Sequence, residues 1–322
     1  MKARNAQRQR QRADSEDNHG LTRSSYRDRQ DHPTHGALSP AHGTMKAPLV
    51  VVDATGTIGE ALVRQFVAYG QPVVAVAPRL DRLAKLPDGT APGDVTRIVG
   101  RVGSDTDAQR LAARLRSLAR PLAGVVVSFP QRTTDGRLGC GRLLEQPTDV
   151  LAECLQQTLL PQHVLARHLV PLLAESGRNT HYVIVGGPGS ETPWAGYGLR
   201  SVATAATRML ARVLHDEART SGVRVQLMSI DSPLRSERPR QHDCPEWPTA
   251  GEVARSVARL IDRGSADHDA ADAIVALPRV DARSPARVSR PYVDVPAFLE
   301  SLRRPPEESP RSEDTPDEPF SK

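Results

Sequence analysis

The first pattern in the sequence that could carry chemistry is the segment Asp53-Ala54-Thr55-Gly56-Thr57-Ile58-Gly59, which follows a short run of valines. Gly56 and Gly59 take the second and third places of a G-x-x-G-x-x-G spacing, and Asp53 takes the first. Glycines at such a turn let the backbone approach a phosphate, and the positive end of the following helix attracts a pyrophosphate. The spacing therefore predicts a dinucleotide site. Its candidate residues are Asp53, Thr55, Gly56, Thr57, Ile58 and Gly59.

Two positions bear on which dinucleotide would bind. The second predicted strand ends in Ala77-Pro78-Arg79, without an acid at its tip that could bind a ribose diol. The guanidinium of Arg79 suits a 2′-phosphate, which favours NADP(H) over NAD(H). Arg79 is equally compatible with an ordinary surface arginine in an arginine-rich chain. At the other position, the carboxylate of Asp53 would repel a pyrophosphate unless it points away or binds the loop backbone.

The hydrophobic pattern between residues 47 and 281 predicts the elements that position these residues. Short runs rich in valine and isoleucine alternate with amphipathic runs of helical period, as in a parallel sheet covered on both faces. Because right-handed crossovers leave few other arrangements, the pattern predicts an α/β fold with a doubly wound, mainly parallel, Rossmann-like sheet. The predicted strands are 49–52, 73–77, 97–99, 124–127, 182–185, 223–229 and 274–277, and the predicted helices are 58–69, 108–118, 150–173, 199–220 and 250–262.

The two ends of the chain differ in composition from its middle. Residues 1–46 hold nine Lys/Arg against five Asp/Glu, and residues 282–322 are dominated by Pro, Ser, Arg and acids. We expect both tails to be disordered, which leaves a single domain over residues 47–281. Most of the net charge of +5 lies in the N-terminal tail, so the domain is close to neutral and a nucleic-acid partner is disfavoured. Met45 is a second candidate for the start of translation.

The cysteines and the apolar runs indicate a compartment. Cys140, Cys154 and Cys244 lack any metal-binding spacing, and their odd number fits a reducing environment. His163 and His168 lie five residues apart, which does not place them on one helical face, so no metal site is expected. The sequence contains neither a signal-peptide core nor a run of eighteen apolar residues, and we expect a cytoplasmic protein without a membrane span.

The order of these elements resembles the short-chain dehydrogenase/reductase family from about residue 49 to residue 277. The stretch APLVVVDATGTIGEALVRQFVAYGQPVVAVAPRLDRLAKL is similar to that family's cofactor half, and VLAECLQQTLLPQHVLARHLVPLL to its long central helix. Tyr197 follows the fifth strand, and VRVQLMSIDSPLRSE is similar to the family's sixth strand and the loop after it. The resemblance implies hydride transfer between NADP(H) and a small carbonyl or alcohol substrate. It also implies homo-oligomers that associate through the two long helices.

The family's catalytic set is present only in part. In the family, a Tyr-x-x-x-Lys pair exchanges a proton with the substrate oxygen, while the lysine lowers the tyrosine pKa and holds the ribose. Tyr197 is the presumptive acid–base residue, but Ser201 stands at the lysine position, and Arg200 would have to supply the cation. Ser190 is the candidate for the carbonyl-polarising serine, although it lies nearer to Tyr197 than the family spacing. The Asn-Asn-Ala-Gly element after the fourth strand is replaced by Ser128-Phe129-Pro130-Gln131, which leaves Ser128 as a candidate cofactor contact.

These substitutions leave two functions open. The first is a divergent NADP(H)-dependent oxidoreductase with Tyr197 as acid–base. The second is a catalytically inactive Rossmann-fold pseudoenzyme that acts as a nucleotide sensor or as a protein-interaction subunit. Asp53, Ser201 and the glycines Gly186 and Gly187, which replace the expected serine, favour the second. Loss of turnover in Tyr197→Phe would favour the first.

Overall fold

A computed structural model of the chain describes residues 46–89, 94–128, 142–177, 179–193, 196–235, 244–264 and 272–278. The two tails expected from composition lie outside the described residues apart from Lys46, as does the C-terminal limit of the domain. Phe129-Pro130-Gln131 and Cys140 lie outside them as well.

The described residues form one sheet in which all seven strands are parallel, in the order β3-β2-β1-β4-β5-β6-β7. Valine predominates because the central strands are buried on both faces. The strands are β1 (Leu49–Val52), β2 (Val73–Ala77), β3 (Val95–Val99), β4 (Gly124–Val127), β5 (Thr180–Val185), β6 (Val223–Ser229) and β7 (Ile274–Ala276).

Helices connect the strands. They are α1 (Thr57–Ala68), α2 (Leu80–Leu83), α3 (Asp105–Arg116), α4 (Thr148–Ala174), α5 (Gly198–Ala218) and α6 (Ala250–Gly264). Side-chain caps fix the start of two of them. At α3 the hydroxyl of Ser104 accepts the N–H of Asp107 at 3.2 Å. At α6 the N–H of Glu252 donates to the hydroxyl of Thr249, and the carboxylate of Glu252 accepts the N–H of Thr249 at 2.7 Å. The hydrogen bond from that N–H lowers the pKa of Glu252.

The sheet is covered on both faces, so the predicted doubly wound α/β fold is confirmed. On one face, strand residues such as Val50, Val125 and Tyr182 pack against α3, α4 and α5. On the other face, alternate strand residues such as Val51 and Val183 pack against α1 and α6. Each strand thus contributes to two cores, as its continuous apolar run predicts.

The strand order reverses at β1, which lies between β2 and β4. Ligands of doubly wound sheets bind at the carboxyl ends of the strands, at the point where the order reverses. Ser128 joins the two strands at this point, because its N–H and its hydroxyl each lie 3.3 Å from the carbonyl oxygen of Val52. The fold therefore predicts a ligand site at the loops that follow β1 and β4.

Two absences hold for the part of the chain that the structure describes. None of its helices combines the length and the apolar character needed to cross a bilayer. None of its His, Cys, Asp and Glu side chains gather in threes in the manner of metal ligands.

Candidate functional site at the carboxyl edge of the sheet

The turn after β1 is held by backbone hydrogen bonds. The N–H of Ala54 donates to the carbonyl of Val76 in β2 at 3.0 Å, and the N–H of Gly56 donates to the carbonyl of Asp53 at 3.0 Å. Asp53 has a φ of 60°, in the left-handed region that glycine enters without strain and aspartate tolerates better than most residues. The first place of the glycine pattern therefore has a backbone conformation that suits glycine, although an aspartate stands there.

Close packing requires a glycine at position 59, whereas Gly56 lies against the side chain of Asp53. A Cβ on Gly59 would lie 2.1 Å from the carbonyl oxygen of Asp53 and 2.8 Å from the Cα of Ala54, and both are backbone atoms that cannot step aside. A Cβ on Gly56 would lie 2.4 Å from Oδ2 of Asp53. Gly59 thus lets α1 pack against the turn. At Gly56, the Asp53 carboxylate takes the space that a side chain would fill.

The start of α1 presents backbone amides to this turn. Gly56 precedes the helix and no side chain caps it, and the first helical hydrogen bond runs from the N–H of Glu60 to the carbonyl of Gly56 at 2.8 Å. The amides of the first turn, from Thr57 to Gly59, have no helical acceptor, as at any helix N-terminus. Thr57 is exposed and Thr55 is half-buried, whereas Ile58 packs on the core beneath α1. Ile58 therefore supports the turn by packing.

A dinucleotide implied by such a frame can be tested against these residues. The backbone fits a pyrophosphate, because two glycines and an uncapped helix N-terminus face the point where the strand order reverses. The side chain of Asp53 does not fit in its present position, because its carboxylate lies against Gly56, where a phosphate would approach. The sequence left open where this carboxylate points, and the structure places it on the turn.

Arg79 follows β2 on the surface and forms a pair with Asp81. Its Nε and one terminal nitrogen donate to the two carboxylate oxygens of Asp81 at 3.1 and 2.7 Å, and both side chains are exposed. The hydrogen bond from Arg79 holds the pKa of Asp81 below its ordinary value. The last residues of β2 include no acid, but Asp81 of α2 places a carboxylate beside Arg79. The residues at the strand tip alone do not predict this partner.

The second group of predicted residues lies between β5 and the start of α5. Tyr197 precedes the first residue of α5, is half-buried, and accepts the N–H of Ser201 on its backbone carbonyl at 2.9 Å. The guanidinium carbon of Arg200 lies 5.6 Å from the centre of the Tyr197 ring. This distance permits a cation–π contact and places a positive charge beside the phenol.

Ser201 and Ser190 occupy different surroundings. Ser201 is buried, and its hydroxyl lies where a Cβ on Gly189 would come within 2.8 Å, so the lysine position is packed beneath the loop after β5. Gly189 has a φ of 91°, and glycine suits this conformation as well as the contact. The Oγ of Ser190 is buried and lacks a hydrogen-bond partner among the described residues. A carbonyl oxygen of a ligand is a group that this hydroxyl could donate to.

A polar chain that sequence analysis missed links the loops after β5 and β6. Arg208 of α5 donates to the hydroxyl of Ser229 at 3.1 Å and lies 3.6 Å from the carboxylate of Glu191. The hydroxyl of Ser229 donates in turn to Asp231 at 3.0 Å. These residues come from three separate segments of the chain, so no local spacing in the sequence predicts their contact. They join the loop that carries Ser190 to the loop that follows β6.

The buried thiol near this edge is structural. Sγ of Cys154 lies 3.7 Å from the carbonyl oxygen of Leu199, and the residue packs with Leu199 and Ala203 in a small apolar cluster. Burial raises the pKa of this thiol. A raised pKa disfavours the reactive thiolate. The role of Cys154 that the structure shows is packing between α4 and α5.

Solved structures resemble this arrangement. A short-chain dehydrogenase from Streptomyces avermitilis matches with a TM-score of 0.60 and 19% identity over 81% of this chain and 94% of its own. A short-chain oxidoreductase from Pseudomonas aeruginosa PAO1, bound to NADPH and containing an atypical catalytic centre, matches with a TM-score of 0.61 and 18% identity over 74% of this chain and 97% of its own. The NADH-dependent reductase A1-R′, complexed with NAD, matches with a TM-score of 0.58 and 15% identity over 72% of this chain and 96% of its own.

Sequence comparison adds no relative. No protein-family model matches the chain, and no curated protein matches it. The likeness therefore lies in the order, direction and packing of the elements. The fold of this chain is that of the short-chain dehydrogenases and reductases.

Proposed function

We propose that this chain is a divergent member of the short-chain dehydrogenase/reductase family, an oxidoreductase that uses a nicotinamide dinucleotide. The observation that carries the proposal is the combined position of the glycine turn and Tyr197. The turn follows β1 and Tyr197 follows β5, so both lie at the carboxyl edge of one parallel sheet. Neighbours in structure that bind NADPH or NAD support the choice of cofactor.

The residues that would hold the dinucleotide belong to three loops. The backbone of Gly56 and the first turn of α1 would meet the pyrophosphate, and the N–H of Ser128 already ties β4 to β1 beside it. Arg79 would meet a 2′-phosphate, which favours NADP(H), whereas its partner Asp81 is the acid that would favour a ribose diol. When bound, the dinucleotide would supply the hydride for carbonyl reduction or accept it in alcohol oxidation, and binding the substrate and moving the proton fall to side chains of this chain.

Tyr197 would move the proton. Its phenol would donate to a substrate carbonyl oxygen, or accept from an alcohol, and a nearby positive charge stabilises the phenolate that remains. Arg200 provides that charge at 5.6 Å from the ring centre. Ser190 would hold the substrate oxygen with a hydroxyl that the described residues leave unpartnered. The substrate class is a small carbonyl or alcohol compound.

A second candidate function is a nucleotide-binding pseudoenzyme. The burial of Ser201 against Gly189 favours it, because the space of the family lysine is filled by packing and holds no ammonium group. Such a protein would keep the dinucleotide as a sensed ligand and use Tyr197 only to begin α5. The two functions predict different effects of one substitution.

The test begins with titration of the purified chain with NADPH and NADH, followed by cofactor fluorescence and thermal shift, and continues with a panel of small ketones, aldehydes and alcohols. We expect saturable binding of NADPH, stronger than that of NADH. In Tyr197→Phe we expect kcat to fall by about 10² to 10⁴ while the Kd for NADPH stays unchanged. Tyr69→Phe is the matched control, because Tyr69 is an exposed tyrosine at the end of α1.

Each outcome selects one function. Loss of turnover in Tyr197→Phe alone supports the oxidoreductase. Binding of a dinucleotide without turnover of any panel compound, and with Tyr197→Phe unaltered, supports the pseudoenzyme. Absence of binding of either dinucleotide at millimolar concentration, in the wild type and in Asp53→Gly alike, overturns both.

A further inference from the structure

The position of the Asp53 carboxylate conflicts with the ligand that the rest of its turn suits. Its Oδ2 lies where a Cβ of Gly56 would come within 2.4 Å, and its Cγ lies 3.3 Å from the same point. Glycine stands at this place in such turns because a phosphate group must approach the α-carbon closely. In this chain the side-chain carboxylate of a neighbouring residue takes that approach.

Backbone hydrogen bonds hold the turn that carries Asp53. The N–H of Gly56 donates to the carbonyl of Asp53, and the N–H of Ala54 donates to the carbonyl of Val76. Asp53 itself has a φ of 60°. With the backbone held in this way, the carboxylate can leave Gly56 by rotation of the Asp53 side chain.

The electrostatics of the turn favour an anion at this place. The N-terminus of α1 carries a partial positive charge, and an anion beside it is favourable. A dinucleotide pyrophosphate draws on the same partial charge and the same amides. A carboxylate and a pyrophosphate within a few ångströms repel each other, and the helix N-terminus does not compensate two anions as well as one.

We propose that Asp53 is the residue that limits dinucleotide affinity in this chain, because its carboxylate occupies the pyrophosphate position of the turn and must leave it when a dinucleotide binds. This inference rests on the proposed function and adds to it. The wild-type chain therefore binds a dinucleotide weakly, and it responds to dinucleotide concentrations higher than a turn with glycine at the first place would need.

Two variants separate the charge of Asp53 from its volume. Asp53→Asn removes the charge, keeps nearly the same shape and is a residue that adopts left-handed φ readily. Asp53→Gly removes the charge and the side chain, and glycine suits a φ of 60°. Glu217→Gln is the matched control, since it removes one exposed carboxylate from the last turn of α5, next to the amino edge of the sheet.

The experiment measures Kd for NADPH and NADH by titration calorimetry with the four full-length proteins, with inorganic pyrophosphate as a competitor. We expect Asp53→Asn to bind NADPH at least about tenfold more tightly than wild type, a difference of about 1.4 kcal/mol, and Asp53→Gly to bind at least as tightly as Asp53→Asn. Glu217→Gln should match wild type. The ratio of the Kd for NADPH of wild type to that of Asp53→Asn should fall as salt is raised from about 0.05 M to about 0.5 M, because salt screens the repulsion between the carboxylate and the pyrophosphate.

The outcomes distinguish this inference from the proposed function. Equal Kd values for wild type and both Asp53 variants overturn the role of Asp53 and leave dinucleotide binding intact. Absence of binding by all proteins, Asp53→Gly included, overturns the proposed function and this inference together. Tighter binding by Asp53→Gly but not by Asp53→Asn overturns the charge argument, because volume alone would then block the site.

Discussion

In the proposed function, the pair formed by Arg79 and Asp81 is the side-chain feature that bears most directly on the choice between NADP(H) and NAD(H). Two nitrogens of Arg79 already donate hydrogen bonds to Asp81. The guanidinium would therefore have to divide its hydrogen bonds between this carboxylate and a 2′-phosphate. Both side chains are exposed, so solvent screens the pair and it contributes little to stability. If the proposed site prefers NADP(H), Asp81 would therefore weaken that preference without abolishing it.

Asp81→Asn should strengthen NADPH binding about two- to fivefold and leave NADH binding unchanged or weaker, because the variant releases Arg79 for the 2′-phosphate. Titration of wild type and variant with both dinucleotides measures the ratio of the Kd for NADH to the Kd for NADPH in each protein. Glu175→Gln is a matched control, since Glu175 forms a similar two-pronged pair with Arg116 at the end of α3. A ratio that Asp81→Asn does not change would contradict the role of Arg79 as a phosphate ligand.

The residues of the site were predictable from the sequence to different degrees. Gly56, Gly59 and Tyr197 follow from spacing and from their order relative to the strands. The packing of Asp53 on Gly56 depends on a φ of 60° and one rotamer, which no spacing encodes. Arg208 and its partners come together only through tertiary packing, so a reading of local motifs could not find them.

Among the elements, α5 combines a site residue with an exposed apolar surface. Tyr197 precedes its first residue, whereas Val202, Met209 and Val213 lie along its outer face, each at least 38% exposed. Their spacing of seven and four residues places them on one side of the helix. Exposed apolar stripes of this kind commonly mark interfaces. We propose that this stripe mediates self-association, as the sequence analysis expected for the two long helices.

Met209→Glu should weaken self-association, because it places a charge at the centre of the stripe. The mass in solution, measured by light scattering at several protein concentrations, should fall toward that of one chain. Gln109→Glu adds the same charge on the exposed surface of α3 and should leave the mass unchanged. A wild-type chain that is monomeric at every concentration would refute the proposal.

The limits of several strands follow the hydrophobic pattern because the central strands are buried on both faces. β1, β2, β4 and β6 have the predicted limits, whereas β3 and β5 each begin two residues earlier than predicted, at Val95 and Thr180. The limits of the helices differ from the predicted ones by up to three residues. The pattern missed α2, since four residues are too few to show a helical period. The hydrophobic pattern also does not include the cap of α6, which depends on the polar residues Thr249 and Glu252 at a spacing of three.

At the scale of the whole molecule, the described sheet begins at Leu49, and the basic N-terminal segment lies before it. A chain that starts at Met45 should therefore keep the thermal midpoint and the NADPH affinity of the full chain. It should lose retention on heparin at low salt, because most of the net positive charge precedes Met45. Thermal unfolding, titration and salt elution of the two chains check this. A lower thermal midpoint would show that residues before Met45 support the domain.

The link between Val52 and Ser128 has a consequence for how the chain folds. The two residues are 76 positions apart in sequence, yet their hydrogen bonds join β1 to β4 at the point where the strand order reverses. During synthesis, β1 can pair with β2 long before β4 has been made, and its second edge waits for a distant segment. Contacts of such sequence separation slow folding. The crevice between β1 and β4 therefore depends on a pairing of long sequence separation, and β1 of a nascent chain has no β4 beside it until residue 127 has been synthesised.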